Sequence, residues 1–251
     1  MPVVTTDAII VQVFAYGETS RILRMLTATH GLQSAIAKGA RRPRSRYAVL
    51  EPFSQGMATL YIKETRELQT LSEFELTTSR HRLGSGLLRF GGASLLAEIV
   101  LRATNEEPHP DLFARLAFAL EHLEREADAA VEGAVLAEAW QLIGCLGFAP
   151  ELDKCLDCDR PVGPDEDVRF DYAAGGIRCA DCAGGAPGRP IPPRARAAMV
   201  AMARGEPPRL EHTRGHWWLL ARYLDHHVLE GATLHSLDFL AIATGDAPCD
   251  D

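Results

Sequence analysis

Two pairs of cysteines constrain this chain more than any other feature of its sequence. Cys155 and Cys158 form one Cys-x-x-Cys pair, Cys179 and Cys182 form a second, and twenty residues separate the pairs. This spacing is typical of a four-cysteine zinc site, because each two-residue gap lets a tight turn aim two thiolates at one ion. We therefore predict one zinc ion per chain, bound by these four residues.

The segment between the two pairs has to fold back for the four thiolates to meet. Its residues 168–172 read as a strand, and Gly175 with Gly176 supplies a turn into a second extended stretch. A site with four thiolate ligands leaves no open position for water or substrate. The zinc is therefore expected to be structural.

A zinc hydrolase or deaminase is the catalytic alternative. Zinc deaminases carry a His-x-Glu motif and a Pro-Cys-x-x-Cys motif, and His122 with Glu124 supplies the first by letter. However, Pro150 lies too far from the first cysteine pair to complete the second motif. His212 and His216 lack the Glu of a His-Glu-x-x-His motif and are expected on the surface. We predict that the chain is not an enzyme.

Residues 1–80 have the pattern of a small β-barrel. Apolar and β-branched residues fill five short segments that are separated by turn signals. These segments are residues 7–14, 20–27, 32–38, 56–63 and 67–76. Five strands of this length fit a Greek-key barrel of the oligonucleotide-binding type, the OB-fold.

Residues 81–251 have a helical pattern. Apolar residues recur at helical spacing within residues 88–100, 112–123, 131–146, 194–203 and 217–228. Gly147 and Gly231 are expected to end the third and the last of these helices. Residues 184–193 are mostly Gly and Pro and are predicted to be loop. The predicted class is α+β and multidomain, with an OB-fold barrel at 1–80 and a helical domain at 81–251 that carries a zinc-binding insertion at about 150–190.

The charge of the chain is unevenly distributed. The formal net charge of −8 argues, by itself, against a DNA-binding protein. Residues 1–80, however, carry ten Lys/Arg against seven Asp/Glu, a net of +3, whereas residues 81–251 carry a net of −11. This asymmetry indicates a basic working module attached to an acidic, solubilising one.

The predicted barrel contains a basic segment without compensating acids. Residues 19–50 hold seven basic side chains and no acidic ones. They are Arg21, Arg24, Lys38, Arg41, Arg42, Arg44 and Arg46. Five of the seven lie within residues 38–46, where Gly39 and Pro43 disfavour a helix or a central strand and predict an exposed loop. We predict that these side chains bind the phosphates of a nucleic acid.

Four other features near this segment bear on whether it binds a nucleic acid. Arg21 and Arg24 are three residues apart in a strand and are expected on opposite faces. Tyr47 and Phe53 follow the loop and are predicted to stack on bases. A solvated loop that only adds solubility is the alternative, and basic residues alone cannot separate DNA from RNA.

Short motifs occur along essentially the whole chain. They are Tyr-Gly-Glu at 16–18, Ala-Lys-Gly-Ala-Arg-Arg at 37–42, Glu-Pro-Phe at 51–53, Leu-Gly-Phe-Ala-Pro-Glu-Leu at 146–152 and Leu-His-Ser-Leu-Asp-Phe-Leu at 234–240. Each motif alone is weak, but their order and spacing together are specific, and in these the chain resembles the RecO family of bacterial recombination and DNA-repair proteins.

The resemblance implies a recombination mediator. Members of the family bind single- and double-stranded DNA, anneal complementary strands and cooperate with RecR. They also engage the acidic C-terminal tail of the single-stranded DNA-binding protein (SSB), and so help to load the RecA recombinase on SSB-coated DNA. Such a tail needs a basic, apolar groove. The candidate groove residues are Arg82, Arg89 and Arg102 beside Leu88, Leu95 and Leu96.

The sequence also bears on where the chain acts. Residues 1–13 show no signal-peptide pattern, and no run of about 18 apolar residues predicts a membrane span. We expect a cytoplasmic, nucleoid-associated protein with no membrane partner, in a compartment where thiols stay reduced. The alternative function, from a different class, is an RNA-binding assembly factor built from an OB-fold and a structural zinc.

Overall fold

The computed structural model describes residues 2–45, 47, 50–63, 65–206, 210, 212–228 and 233–244. The chain divides into two compact units, the first formed by Met1–Gly86 with Leu96–Glu124 and the second by Leu87–Leu95 with Arg125–Asp251. The predicted division at residue 80 into a barrel domain and a helical domain stays a prediction. Among the described residues, no helix has the length and apolar character that crossing a membrane requires.

The first unit contains the predicted closed barrel of five strands. They are β1 (Val3–Tyr16), β2 (Ser20–Thr27), β3 (Gly31–Ala37), β4 (Gln55–Tyr61) and β5 (Leu68–Thr78). The barrel order is β1-β2-β3-β5-β4, and β1 also pairs with β4. All pairings are antiparallel except that of β3 with β5, which is parallel. The OB-like class expected from the sequence is therefore confirmed.

Alternation along the strands fills the barrel with apolar side chains. In β2, Leu23 and Met25 are fully buried, and in β4 Ala58 and Leu60 are as well, as the period of two in a strand requires. The pairing of β1 with β2 shifts by one residue between Ile10 and Gln12. Because of this bulge, even-numbered side chains of β1 point into the barrel before it and odd-numbered ones after it. Beyond this bulge, the even-numbered residues of β1 lie on the outside of the barrel.

The turn between β2 and β3 packs against a loop of the same unit. Gly31 has a φ of +60°, and a Cβ atom there would overlap the backbone carbonyl of Glu107. The next residue, Leu32, donates its N–H to the Asn105 carbonyl at 2.8 Å. The loop after the first long helix therefore covers this end of the barrel, and Gly31 provides the room for it.

Replacing Gly31 with Ala is expected to destabilise the protein by about 2–4 kcal/mol. The left-handed backbone costs a side chain roughly 1 kcal/mol, and overlap with a packed backbone adds about 1–3 kcal/mol. Gly17→Ala is the matched control, since Gly17 has a φ of +55° with nothing within 4 Å of the added Cβ. Urea unfolding of both variants measures the difference, and equal losses would contradict the close approach.

Within the described residues, the remaining elements are six α-helices, two short 3-10 helices (His81–Ser85 and Asp128–Ala130) and a four-stranded sheet. The helices are α1 (Leu87–Ala103), α2 (Pro110–Arg125), α3 (Val131–Cys145), α4 (Pro193–Ala203), α5 (Arg214–His227) and α6 (His235–Thr244). The strands are β6 (Glu151–Cys155), β7 (Val168–Asp171), β8 (Gly176–Cys179) and β9 (Arg189–Ile191), in the order β6-β8-β7-β9. Helix α3 ends before Gly147, which has a φ of +89°, as predicted. Gly231 lies outside the described residues.

Two expectations for the second unit are wrong. Residues 184–193 are not all loop, because β9 pairs with β7 in antiparallel register. The strand lies at the edge of the sheet, where Pro190 is tolerated because an edge strand has one unpaired side. His216 is not on the surface: it lies on the inward side of α5 with 9% exposure, and burial lowers its pKa.

Candidate metal centre and nucleic-acid interface

The four cysteines converge as their spacing predicts. The Sγ atoms of Cys155, Cys158, Cys179 and Cys182 all lie within 4.8 Å of one another. The Cys158 and Cys179 Sγ atoms are 3.9 Å apart. Four sulfurs at about 2.3 Å from a central ion form a tetrahedron with edges of roughly 3.8 Å. Both the donor atoms and their separation are therefore compatible with a metal site.

Strand pairing holds the two cysteine pairs together. Cys155 ends β6 and Cys179 ends β8, and these strands run parallel with Cys155 opposite Ile177. After each of these cysteines the chain turns back on its carbonyl. Asp159 donates its N–H to Cys155 O, and Ala183 donates to Cys179 O, both at 2.9 Å. Each turn brings the second thiol of its pair, Cys158 or Cys182, beside the first.

The thiols differ in how readily they ionise. Although burial opposes it, hydrogen bonds from the backbone N–H groups of Cys179, Cys158 and Asp157 lower the pKa of Cys155 to about 6. Hydrogen bonds with the thiols of Cys179 and Cys158 raise the pKa of Cys182 to about 12. Four thiolates this close repel one another, so they ionise together only around a cation.

Ion pairs brace the segment between the cysteine pairs. Arg178 on β8 donates to the carboxylates of Asp157, at 2.9 Å, and Asp171. The Asp171 carboxylate also accepts the N–H groups of Ala173 and Ala174 at 3.0 Å, which fixes the turn from β7 to β8. Such bonds orient a binding loop before any ligand arrives.

The predicted basic loop follows β3, and residues 38–45 are called the arginine loop below. Its backbone is anchored to the turn between β1 and β2: the N–H of Arg41 donates to Thr19 O at 2.8 Å, and its Nη1 donates to Gly17 O at 3.2 Å. Ala40 is buried at 8% exposure, so the loop has a fixed base. The side chains of Lys38, Arg42 and Arg44 are exposed.

Four of the seven predicted basic residues share one cleft. The cleft has a volume of about 410 Å³ and is lined by Arg21, Ala40, Arg41, Arg42, Arg44 and Ser45. Arg21 enters it from β2, where its Nη1 donates to Leu50 O at 2.7 Å. Like charges held this close favour an anion between them. The exposed Lys38 begins the loop, and Arg46 lies outside the described residues.

Arg24 does not join this cleft. It lies three residues from Arg21 on a regular strand and therefore on the opposite face, as expected for a period of two. Burial and the nearby Arg102 lower its pKa. Arg24 therefore belongs to a different part of the unit's surface.

The aromatic residues predicted to stack on bases are in the core instead. Tyr47 and Phe53 are each 4% exposed. The Tyr47 hydroxyl lies 2.9 and 2.8 Å from the carbonyl oxygens of Leu71 and Ser72, which share its single proton as acceptors. The prediction is wrong because chain proximity to a loop says nothing about which side of the barrel wall a ring enters. The exposed aromatic residues of β1 are Phe14 and Tyr16, which the strand alternation could have indicated.

A Tyr47→Phe variant is expected to lose about 1–2 kcal/mol of stability and none of its DNA affinity. The loss reflects the removal of one buried hydroxyl hydrogen bond to the backbone of β5. Urea unfolding measures the first quantity, and fluorescence anisotropy with labelled DNA measures the second. Weaker DNA binding by a folded variant would show that the ring does reach the ligand.

Comparison with known proteins identifies the family. The family model described as "Recombination protein O N terminal" matches residues 1–80, and the model described as "Recombination protein O C terminal" matches residues 84–238. The chain belongs to the RecO family. "DNA repair protein RecO" of Rubrobacter xylanophilus is 34% identical over 92% of this chain and 93% of its own length. The protein of the same name from Anaeromyxobacter sp. (strain K) is 31% identical over 90% of this chain and 91% of its own.

Three of the six residues suggested for a groove that binds an acidic tail are buried. Leu95 and Leu96 are fully buried. Arg89 is 3% exposed and donates to Asp128 at 2.6 Å. Arg82 and Arg102 are exposed and Leu88 is half-buried. A tail-binding surface that uses these three residues stays a prediction, whereas Arg89, Leu95 and Leu96 are not available to it.

Proposed function

We propose that this chain is a DNA repair and recombination mediator that binds single- and double-stranded DNA and anneals complementary strands. The observation that carries the proposal is the cleft in which Arg21, Arg41, Arg42 and Arg44 converge. Membership of a family whose relatives are named DNA repair proteins supports it. Guanidinium groups contact the phosphates of every sequence alike, so the cleft favours binding without sequence preference.

The arginine side chains of the cleft also explain how the chain would anneal complementary strands. Two complementary strands repel each other through their phosphates until cations offset the charge. Arginine side chains that hold one backbone release its counterions and weaken this repulsion. Contacts of this kind use the phosphates and leave the pairing edges of the bases free. A second strand is then able to pair with the held one.

The partners in this proposal are RecR and the acidic C-terminal tail of SSB. Through them the chain would help to load RecA on SSB-coated single-stranded DNA, in the cytoplasm at the nucleoid. Family membership is the support for this part. The net charge of −11 on residues 81–251 would repel an acidic tail, so a local basic surface has to receive it.

We propose zinc as the metal, one ion per chain. Cys155, Cys158, Cys179 and Cys182 would hold it, and an all-thiolate tetrahedral donor set is the one that structural zinc prefers. Bound zinc supplies a cross-link that fixes residues 150–190. With four protein ligands it has no position for a substrate, which supports a role without catalysis.

The experiment that tests the function is annealing of complementary DNA strands coated with SSB. The chain is expected to accelerate duplex formation over SSB-coated strands alone, and RecR with the chain to support RecA loading. RNA of the same sequence serves as competitor. If annealing is not accelerated and RNA competes better than DNA, the mediator proposal is wrong and an RNA-binding assembly factor is favoured.

A further inference from the structure

The outer face of the barrel beside the arginine loop carries exposed aromatic rings. Phe14 and Tyr16 on β1 are 44% and 52% exposed. Phe14 lies opposite Ile22 on β2, which in turn lies opposite Ile36 on β3. The row Phe14–Ile22–Ile36 therefore runs across three strands, and we call it, together with Tyr16, the aromatic face.

The aromatic face is joined directly to the cationic residues. Tyr16 precedes the turn whose Gly17 and Thr19 carbonyls accept hydrogen bonds from Arg41. Lys38 follows Ile36 by two residues and is exposed. A ligand that crosses from the cleft to this face therefore meets positive charge first and apolar surface next.

We propose that the aromatic face stacks the bases of single-stranded DNA whose phosphates lie in the arginine loop. This inference rests on the proposed function and assigns single strands to a named surface. Nucleic acid is the occupant that the charges favour, because an apolar face bordered by Arg41, Lys38 and the cleft arginines suits an anionic ligand with flat apolar groups. Aromatic rings beside a basic groove are how proteins hold single strands without reading sequence.

The spacing of the rings selects unstacked bases. Phe14 and Tyr16 are two residues apart on one side of a strand, which places their Cα atoms about 7 Å apart. That is roughly twice the 3.4 Å rise per nucleotide in a duplex strand. Two successive bases have to separate to contact both rings, and paired bases inside a duplex cannot do so. Stacking uses the flat faces of the bases, so their pairing edges stay available for annealing.

The test compares two oligonucleotides with equal numbers of phosphates, oligo(dT) and an abasic strand, by fluorescence anisotropy. The protein is expected to bind oligo(dT) more tightly. Phe14→Leu with Tyr16→Leu keeps apolar bulk but removes the rings, and it should reduce this preference by about 100-fold, or about 10-fold for each ring. Affinity for the abasic strand and for duplex DNA should not change, and neither should the salt dependence.

Matched variants separate stacking from other roles. Phe118→Leu removes a ring that is 58% exposed on α2, outside the barrel strands, and it should leave the preference intact. Tyr16→Phe keeps the π-face and should also bind normally. Unfolding midpoints of all variants show whether the barrel remains folded.

A double variant that is folded and keeps the full preference for oligo(dT) would overturn the inference. If that variant has also lost self-association, the face is instead an interface between two copies of the chain. The proposed function fails separately, if the unaltered protein does not accelerate annealing of SSB-coated strands and RNA competes better than DNA.

Discussion

A Cys155→Ser variant is expected to lose its zinc and to unfold residues 150–190. Cys155 is 2% exposed and its Sγ accepts the N–H of Cys179, so serine would place a weaker ligand in a buried site made for sulfur. Structural zinc contributes on the order of 10–16 kcal/mol of apparent binding energy in small modules. This is as large as the whole stability of a typical domain, about 5–15 kcal/mol. The barrel has its own core and should retain most of its DNA affinity.

Elemental analysis and limited proteolysis measure this outcome. The unaltered protein should carry close to one zinc per chain and resist cleavage within residues 150–190, whereas the variant should carry little zinc and be cleaved there. Cys145→Ser is the control, because Cys145 is half-buried and outside the cluster. A folded, reduced sample of the unaltered protein without metal would contradict the zinc proposal.

Removing three arginines of the loop is expected to have the second large effect. Each single-strand phosphate contact contributes about −0.7 to the slope of log affinity against log salt. Replacing Arg41, Arg42 and Arg44 with Ala should therefore flatten the slope by roughly 2 units, which at 0.1 M salt corresponds to a loss on the order of 100-fold in affinity. The loss should be similar for unrelated sequences, and annealing should slow in parallel.

Arg82→Ala is the matched control for this variant. It removes the same kind of charge from an exposed position in the same unit, outside the barrel strands and the aromatic face. Its effect on the slope should be small. Stability should change by less than about 1 kcal/mol in the loop variant, since the hydrogen bond from Arg41 to Gly17 is exposed. If affinity and slope both survive in the loop variant, the arginine loop is only a solvated turn.

Local patterns were enough to predict the five barrel strands, the first five α-helices and the convergence of the four cysteines. A Cys-x-x-Cys pair needs only one turn, and the twenty-residue interval leaves room for the β7–β8 hairpin that returns the second pair. Strand alternation likewise predicts the interior of the barrel. The arginine loop follows from Gly39 and Pro43, which exclude regular structure between β3 and β4.

The sequence does not predict features that depend on contacts between residues far apart along the chain. Tyr47 is buried because its hydroxyl reaches carbonyls of β5, about 24 residues further along the chain. Pro190 lies in a strand because β7 provides an edge to pair with. Arg89 is buried because a partner 39 residues away accepts its hydrogen bond. In each case the deciding neighbour is remote in sequence.

The parallel seam between β3 and β5 has a consequence for biosynthesis. The barrel closes only when β5 pairs with β3, and β5 ends roughly 40 residues after β3. At translation rates of about 5–20 residues per second, the synthesis of β5 is completed about 2–8 seconds after that of β3. During this interval Leu23 and Met25 have no closed interior to enter. The nascent chain is therefore expected to expose these apolar side chains, and to need protection from aggregation, until β5 has been made.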